Sequence, residues 1–178
     1  MSDYESFALV PQESAVLIET RSNVGPIVFG TLSVEGTAAL SIDTNDLDET
    51  AALSASMRIP VASLASGNTL YDSELRDRLE QRRYPWITVE MVSSQPLGSG
   101  RFGAEGDVTI HGSTRRLSGT LSLTMPDANT VVARGQHVVD IRDFAIRLPS
   151  MLMLKIYPDV SVQFRITAVR AATAEKDI

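Results

Sequence analysis

Val160-Ser161-Val162-Gln163-Phe164-Arg165-Ile166-Thr167-Ala168 alternates apolar and polar side chains without a break. Successive side chains of an extended chain point to opposite sides, so this is a strand with one buried and one wet face. The same period recurs upstream. Leu53, Ala55, Met57, Ile59 and Val61 alternate with Ser54, Ser56 and Arg58. Ile87, Val89 and Met91 oppose Thr88 and Glu90. Phe102, Ala104, Val108 and Ile110 oppose Arg101, Glu105, Asp107 and Thr109. Leu117, Leu121, Leu123 and Met125 oppose Arg116, Ser118, Thr120 and Ser122.

Nearer the N-terminus, Val28, Gly30, Leu32 and Val34 form the apolar face, and Phe29, Thr31, Ser33 and Glu35 the other. Glu35-Gly36 offers a turn into Ala38, Leu40 and Ile42, which predicts a hairpin. The acidic stretch 44–49 fails the calcium-loop pattern: counted from Asp43, the fifth, sixth and twelfth positions are Leu47, Asp48 and Ser54. It reads as a solvated loop. Residues 95–100 and 126–129, rich in Pro, Gly, Asp and Asn, separate later strands. One helix interrupts the pattern. Asn68 or Asp72 can cap it, Tyr71, Leu75 and Leu79 form an apolar stripe, and Pro85 marks its end. Asp72 with Arg76, and Glu74 with Arg78, add acid-first pairs four residues apart. Residues 149–154 lack alternation and read as either a helical turn or a buried loop.

The chain of 178 residues suits a single domain, 1–178, with no linker or solenoid repeat. Cysteine is absent, which excludes disulfides, thiolate catalysis and thiolate-bound metals. A formal net charge of −6 argues against nucleic acid as a partner. The pairs Arg82-Arg83 and Arg115-Arg116 read as solvated surface. No transmembrane segment is expected, because no apolar run approaches the roughly 18 residues needed to cross a bilayer. Met1-Ser2-Asp3-Tyr4-Glu5-Ser6 lacks the features of an export signal, so a cytoplasmic location is expected.

Strands with one apolar face bury it in either a sandwich or a barrel, and with about eight strands a closed antiparallel β-barrel removes the exposed edges. Such an interior is either filled by side chains or holds one small ligand. Ala38, Ala55, Ala104, Gly30 and Gly119 leave volume unfilled, or sit where the barrel narrows. Composition leaves both outcomes open.

Three segments resemble the YceI-like family. Ser63-Leu64, Gly67-Asn68, Asp72 to Leu75-Arg76 and Tyr84-Pro85 are similar to one of its series. Gly106-Asp107-Val108-Thr109-Ile110-His111-Gly112-Ser113-Thr114 resembles its Gly-x-Leu-Thr-Ile-x-Gly-x-Thr strand pair, with Val108 for Leu. Asp143-Phe144-Ala145-Ile146 resembles its Asp-Phe-Gly-Ile block, with Ala145 for Gly. The order and spacing run from about Ala15 to Val169. The family's early His-Ser pair is replaced near Arg21-Ser22-Asn23. The resemblance implies an extended lipocalin-like barrel of eight antiparallel strands, with one or two helices over an opening. It implies binding of polyisoprenoids or other long-chain amphiphiles, and it is compatible with a homodimer.

The expected lining of the cavity is Leu53, Met57, Ile59, Val89, Phe102, Val108, Ile110, Leu121, Leu123, Phe144, Phe164 and Ile166. His137 either points into that cavity toward a polar head group or is a satisfied histidine at a strand edge. His111 reads as a surface or turn residue, and two distant histidines do not make a metal site without a third ligand. Asp140, Arg142 and Asp143 read as a cluster that pins a loop. No Gly-x-Ser-x-Gly elbow or phosphate loop is present, and no cofactor or catalytic residue is expected. The leading reading is binding or carriage of an isoprenoid, an isoprenoid quinone-like molecule or a fatty-acid-derived amphiphile. The alternative is a non-catalytic stress-response or interaction module whose barrel is plugged by its own side chains.

Overall fold

A computed structural model of the chain describes residues 3–147, 150–151 and 154–172. The strands in chain order are β1 (Asp3–Leu9), β2 (Ala15–Ser22), β3 (Gly25–Thr31), β4 (Glu35–Asp43), β5 (Asp46–Leu47) and β6 (Ser54–Pro60). They continue as β7 (Trp86–Gly98), β8 (Arg101–Ile110), β9 (Ser113–Asp127), β10 (Thr130–Asp140), β11 (Ser150–Met151) and β12 (Leu154–Arg170). The helix α1 (Thr69–Arg78) joins β6 to β7.

The order β1-β4-β6-β7-β8-β9-β10-β12 closes on itself through β1 and β12, giving an eight-stranded antiparallel barrel. β12 is long enough to serve two partners on one edge. Ala168 to Arg170 pair with β1, and Ile156 to Arg165 pair with β2. A 3-10 turn at Pro11–Glu13 lets the chain pass from one to the other. β3 then pairs with β2, and Gly30 bridges Ala65, so the β2–β3 hairpin extends the wall toward α1.

The expected hairpin near residue 35 does not form. β3 pairs with β2, whereas β4 pairs with β1 and β6. Gly36 lies inside β4, opposite Met57, and not in a turn. A Cβ there would stand 2.9 Å from the Met57 Cα, so the glycine serves a close backbone approach. The face of β3 is also inverted. Phe29 is 6% exposed and Val28 40%; beyond the strand Leu32 is 63% exposed, whereas Val34 is buried at 1%, as the sequence pattern expects. Both faces of this strand carry large apolar residues, so only the partner strand could decide which turned inward.

Strands run further than the turn residues suggest. β7 continues through Pro96 to Gly98, and β9 through Pro126 to Asp127. The acidic stretch is only partly a loop: Asp46 and Leu47 pair back onto β4, and Leu47 packs against the core. Ser150 and Met151 pair with Lys155 and Leu154, so this part of 149–154 is extended, neither helix nor loop. Residues 149, 152 and 153 lie outside the described residues.

Asn68 caps α1, its Oδ1 accepting from the Leu70 and Tyr71 amides at 3.0 and 3.2 Å. The helix ends at Arg78, well before Pro85. Asp72 instead accepts from the Ser66 amide and hydroxyl at 2.7 and 2.6 Å, tying the helix to the strand-like segment before it.

Candidate functional site

The apolar faces enclose two packed groups. At the end away from α1, Phe7, Leu40, Ile42, Leu53, Phe102, Leu123, Val131 and Ala168 form a dense floor, with Leu121 packed against it. Phe102 is 1% exposed. Toward α1, Val16, Ile27, Phe29, Ile59, Ile87, Ile156 and Ile166 pack with Leu64 and Leu79. Met57, Ile110, Val162 and Phe164 are half-buried against that group.

Val89, Val108 and His137 belong to neither group and are half-buried. So are Leu117 and Val139, which the sequence-based lining omits. Leu117 is the register partner of Gly106, and Val108 that of Val89, so these positions share the inward face of β7, β8 and β9. These positions point inward and stand outside both packed groups. The sequence-based lining therefore divides. Leu53, Phe102, Leu121 and Leu123 build the floor, and Ile59 and Ile166 sit in the core near α1. Val89, Val108 and His137 point inward and join neither group.

The register settles His137. It pairs with Val162 of β12, whose neighbours Val160 and Ile166 are buried on the inner face. A Cβ built on Gly119 of β9 would lie 3.4 Å from His137 Nδ1. The imidazole therefore faces across the interior side of the β9–β10 junction.

His111 is a turn residue with structural work. His111 and Gly112 have φ of 52° and 71°, the two-residue turn that joins β8 to β9. Its Nε2 contacts Glu80 Oε2, its Nδ1 lies 3.4 Å from the Phe144 carbonyl oxygen, and its ring meets the Tyr84 ring edge-on at 5.4 Å. Phe144, on the 3-10 turn Ile141–Phe144, is 0% exposed. This histidine thus connects the segment after α1, the β8–β9 turn and the turn after β10.

Several ion pairs lie on the outer surface. Asp107 and Arg116 pair at 2.9 Å across β8 and β9, and Arg58 pairs with Glu35 and stacks on Trp86. The Arg116 hydrogen bond holds Asp107 below the usual carboxylate range. Asp140 is likewise held low by the Arg142 guanidinium and backbone amide. Asp140 Oδ1 also accepts from the Arg142 amide at 2.9 Å, capping the 3-10 turn, so this cluster pins a loop. Arg115, register partner of Val108, stands exposed at the rim with Nη1 on the Thr114 carbonyl. No group of three His, Asp or Glu suited to a metal occurs among the described residues. No helix among them is long and apolar enough to cross a membrane.

Comparison with known proteins agrees with this architecture. Residues 7–168 match the family described as the YceI-like domain. BcnA of Burkholderia cenocepacia superposes with a TM-score of 0.74 at 18% identity, covering 89% of this chain and 98% of that one. A polyisoprenoid binding domain from Saccharophagus degradans, implicated in plant cell wall breakdown, superposes with a TM-score of 0.71 at 14% identity, covering 94% and 99%. The YceI protein of Campylobacter jejuni gives 0.60 at 16% identity, covering 75% and 80%. At these identities the likeness is one of fold. No curated protein sequence matches the chain. With its family match spanning nearly the whole barrel, the chain belongs to the YceI-like domain family.

Proposed function

We propose that this protein binds and carries a long-chain apolar molecule, a polyisoprenoid or similar amphiphile, inside the barrel and does no chemistry on it. The observation that carries the reading is the group of inward, uncharged, half-buried side chains Val89, Val108, Leu117 and Val139, which join neither packed group. The family, and a structural neighbour described as polyisoprenoid-binding, support an apolar ligand in general. His137 lies on the inward face with these positions, Arg115 stands exposed at the rim beside Val108, and an imidazole without a positioned acid, base or nucleophile beside it makes a poor catalyst.

The energetics suffice. Burying a methylene contributes about 0.8 kcal/mol, so a chain of roughly ten carbons contributes about 8 kcal/mol gross. Ordering the chain and losing its free motion offsets several of these. Selection should therefore act on chain length more than on tail identity. The floor around Phe102 is packed by its own side chains, and support for the carrier reading rests on Val89 and Val108 lying outside both packed groups.

The test is native mass spectrometry with lipid extraction of protein purified from its own source, together with uptake of a fluorescent isoprenoid. Co-purification of a long-chain lipid, or saturable uptake, is the expected result. A protein that emerges empty and takes up no probe removes the carrier reading.

A further inference from the structure

The barrel wall is not continuous. The β9–β10 ladder runs from Thr130–Asp127 to Gly135–Leu121 and stops there. Both strands go on: β9 is paired to β8 down to Ser113, and β10 to β12 up to Asp140–Asp159. Continued in register, residues 116–120 of β9 and 136–140 of β10 stand opposite each other with no ladder between them.

Unpaired strand edges need water or another partner for their amides and carbonyls, because leaving these groups dry is costly. The seam meets that need by being open. Ser118, Gly119 and Thr120 are exposed on its β9 side, and a Cβ on Gly119 would meet nothing within 4 Å except His137 Nδ1. Behind it lie Leu117, Val139, Val108 and Val89, the half-buried inward positions. Its two ends are firm. At one, the Phe164 ring packs on Gly135. At the other, the turn carrying Phe144 spans to His111.

We infer that this seam between β9 and β10 is a side entrance to the barrel, through which the linear chain of an amphiphile passes while His137 at the rim hydrogen-bonds its polar end. The inference rests on the carrier reading and adds a route and a polar contact to it. A gap bordered by glycine and backed by valine and leucine admits an apolar chain sideways. The imidazole can donate to or accept from a carboxylate, hydroxyl or carbonyl, so single-chain fatty acids and prenols share the required chemistry.

The experiment uses the absence of native cysteine. The variant Ser118→Cys/Val138→Cys places two thiols at exposed positions on the two edges of the seam, which dibromobimane can staple, and keeps His137. Stopped-flow uptake of dansyl-undecanoic acid is compared before and after stapling of the same protein. Stapling should slow uptake by at least about tenfold and slow release from preloaded protein equally, leaving equilibrium affinity within about twofold, because an entrance controls rates and not the bound state. Thr120→Cys/Gln136→Cys, at two further exposed positions on the same edges and stapled in the same way, should show the same slowing. Unchanged uptake rates in both stapled variants would overturn the side entrance and leave the carrier reading standing. A wild-type protein that takes up no probe would overturn the carrier reading and the entrance with it.

Discussion

Gly135 and Phe164 are register partners across β10 and β12, and the phenyl ring lies over the bare Cα of the glycine. A Cβ at position 135 would stand 2.7 Å from the ring's Cε1. The glycine lets a large inward side chain rest against the wall at the level where the β9–β10 ladder ends.

Gly135→Ala should therefore displace that ring into the interior. Overpacking of this kind costs about 1–3 kcal/mol. Urea unfolding should show the loss, and Gly135→Ala combined with Phe164→Leu should recover most of it. Additive losses in the double variant would mean that the two positions are not coupled.

Ala104 faces inward opposite Gly119. Ala104→Phe should abolish uptake of a fluorescent isoprenoid while shifting stability by less than about 1 kcal/mol, since the new ring enters open space. In a filled core the same change would cost about 1–3 kcal/mol. Thermal unfolding and probe titration on one sample separate the two.

Asp72 is held below the ordinary aspartate range, first by the Ser66 hydroxyl and then by the Ser66 amide. The folded state therefore binds this proton less readily than the unfolded chain does. The carboxylate's contribution is complete above the unfolded value of about 3.9 and fades as pH falls through the lower folded value. Asp72→Asn should lower the melting temperature at pH 7, and the difference should shrink as pH falls through the folded-state value of Asp72, below which both proteins carry a neutral group. Ser66→Ala should shift acid unfolding to higher pH.

His111 has two separable tasks: its backbone needs φ of 52°, and its ring holds Glu80 and the Phe144 carbonyl. Asn accepts the turn geometry but not the ring contacts, so His111→Asn should cost about 0.5–1.5 kcal/mol, the worth of a hydrogen bond. His111→Ala loses both and should cost more. Hydrogen exchange should show earlier opening of residues 79–84 and 141–144 in either variant. Equal stability of the Asn and Ala variants would show that the turn contributes nothing.

Legibility in the sequence followed how one-sided each strand is. In β6, β8 and β12 one parity is apolar and the other polar, so Ile59, Phe102 and Ile166 could be assigned inward before any partner was known, and they are buried. In β3 both parities are apolar, and the assignment of Val28 and Leu32 to the core failed in favour of Ile27 and Phe29. His137 was undecidable for a related reason: Val138 and Val139 flank it, and the polarity around it sets no face. Leu117 and Gly119 were visible as members of an alternating strand, but their place beside an unpaired edge was not.

What the chain's order of residues determined by itself was the class of fold, because period-two burial is local and each strand carries its own signature. Which strands pair, where the ladder between β9 and β10 stops, and which inward residues pack and which border open space were decided only in three dimensions. Those outcomes depend on contacts between residues far apart in the chain. A side chain packed against the floor and one outside both packed groups can be the same amino acid in the same alternation, as Leu121 and Leu117 are on β9.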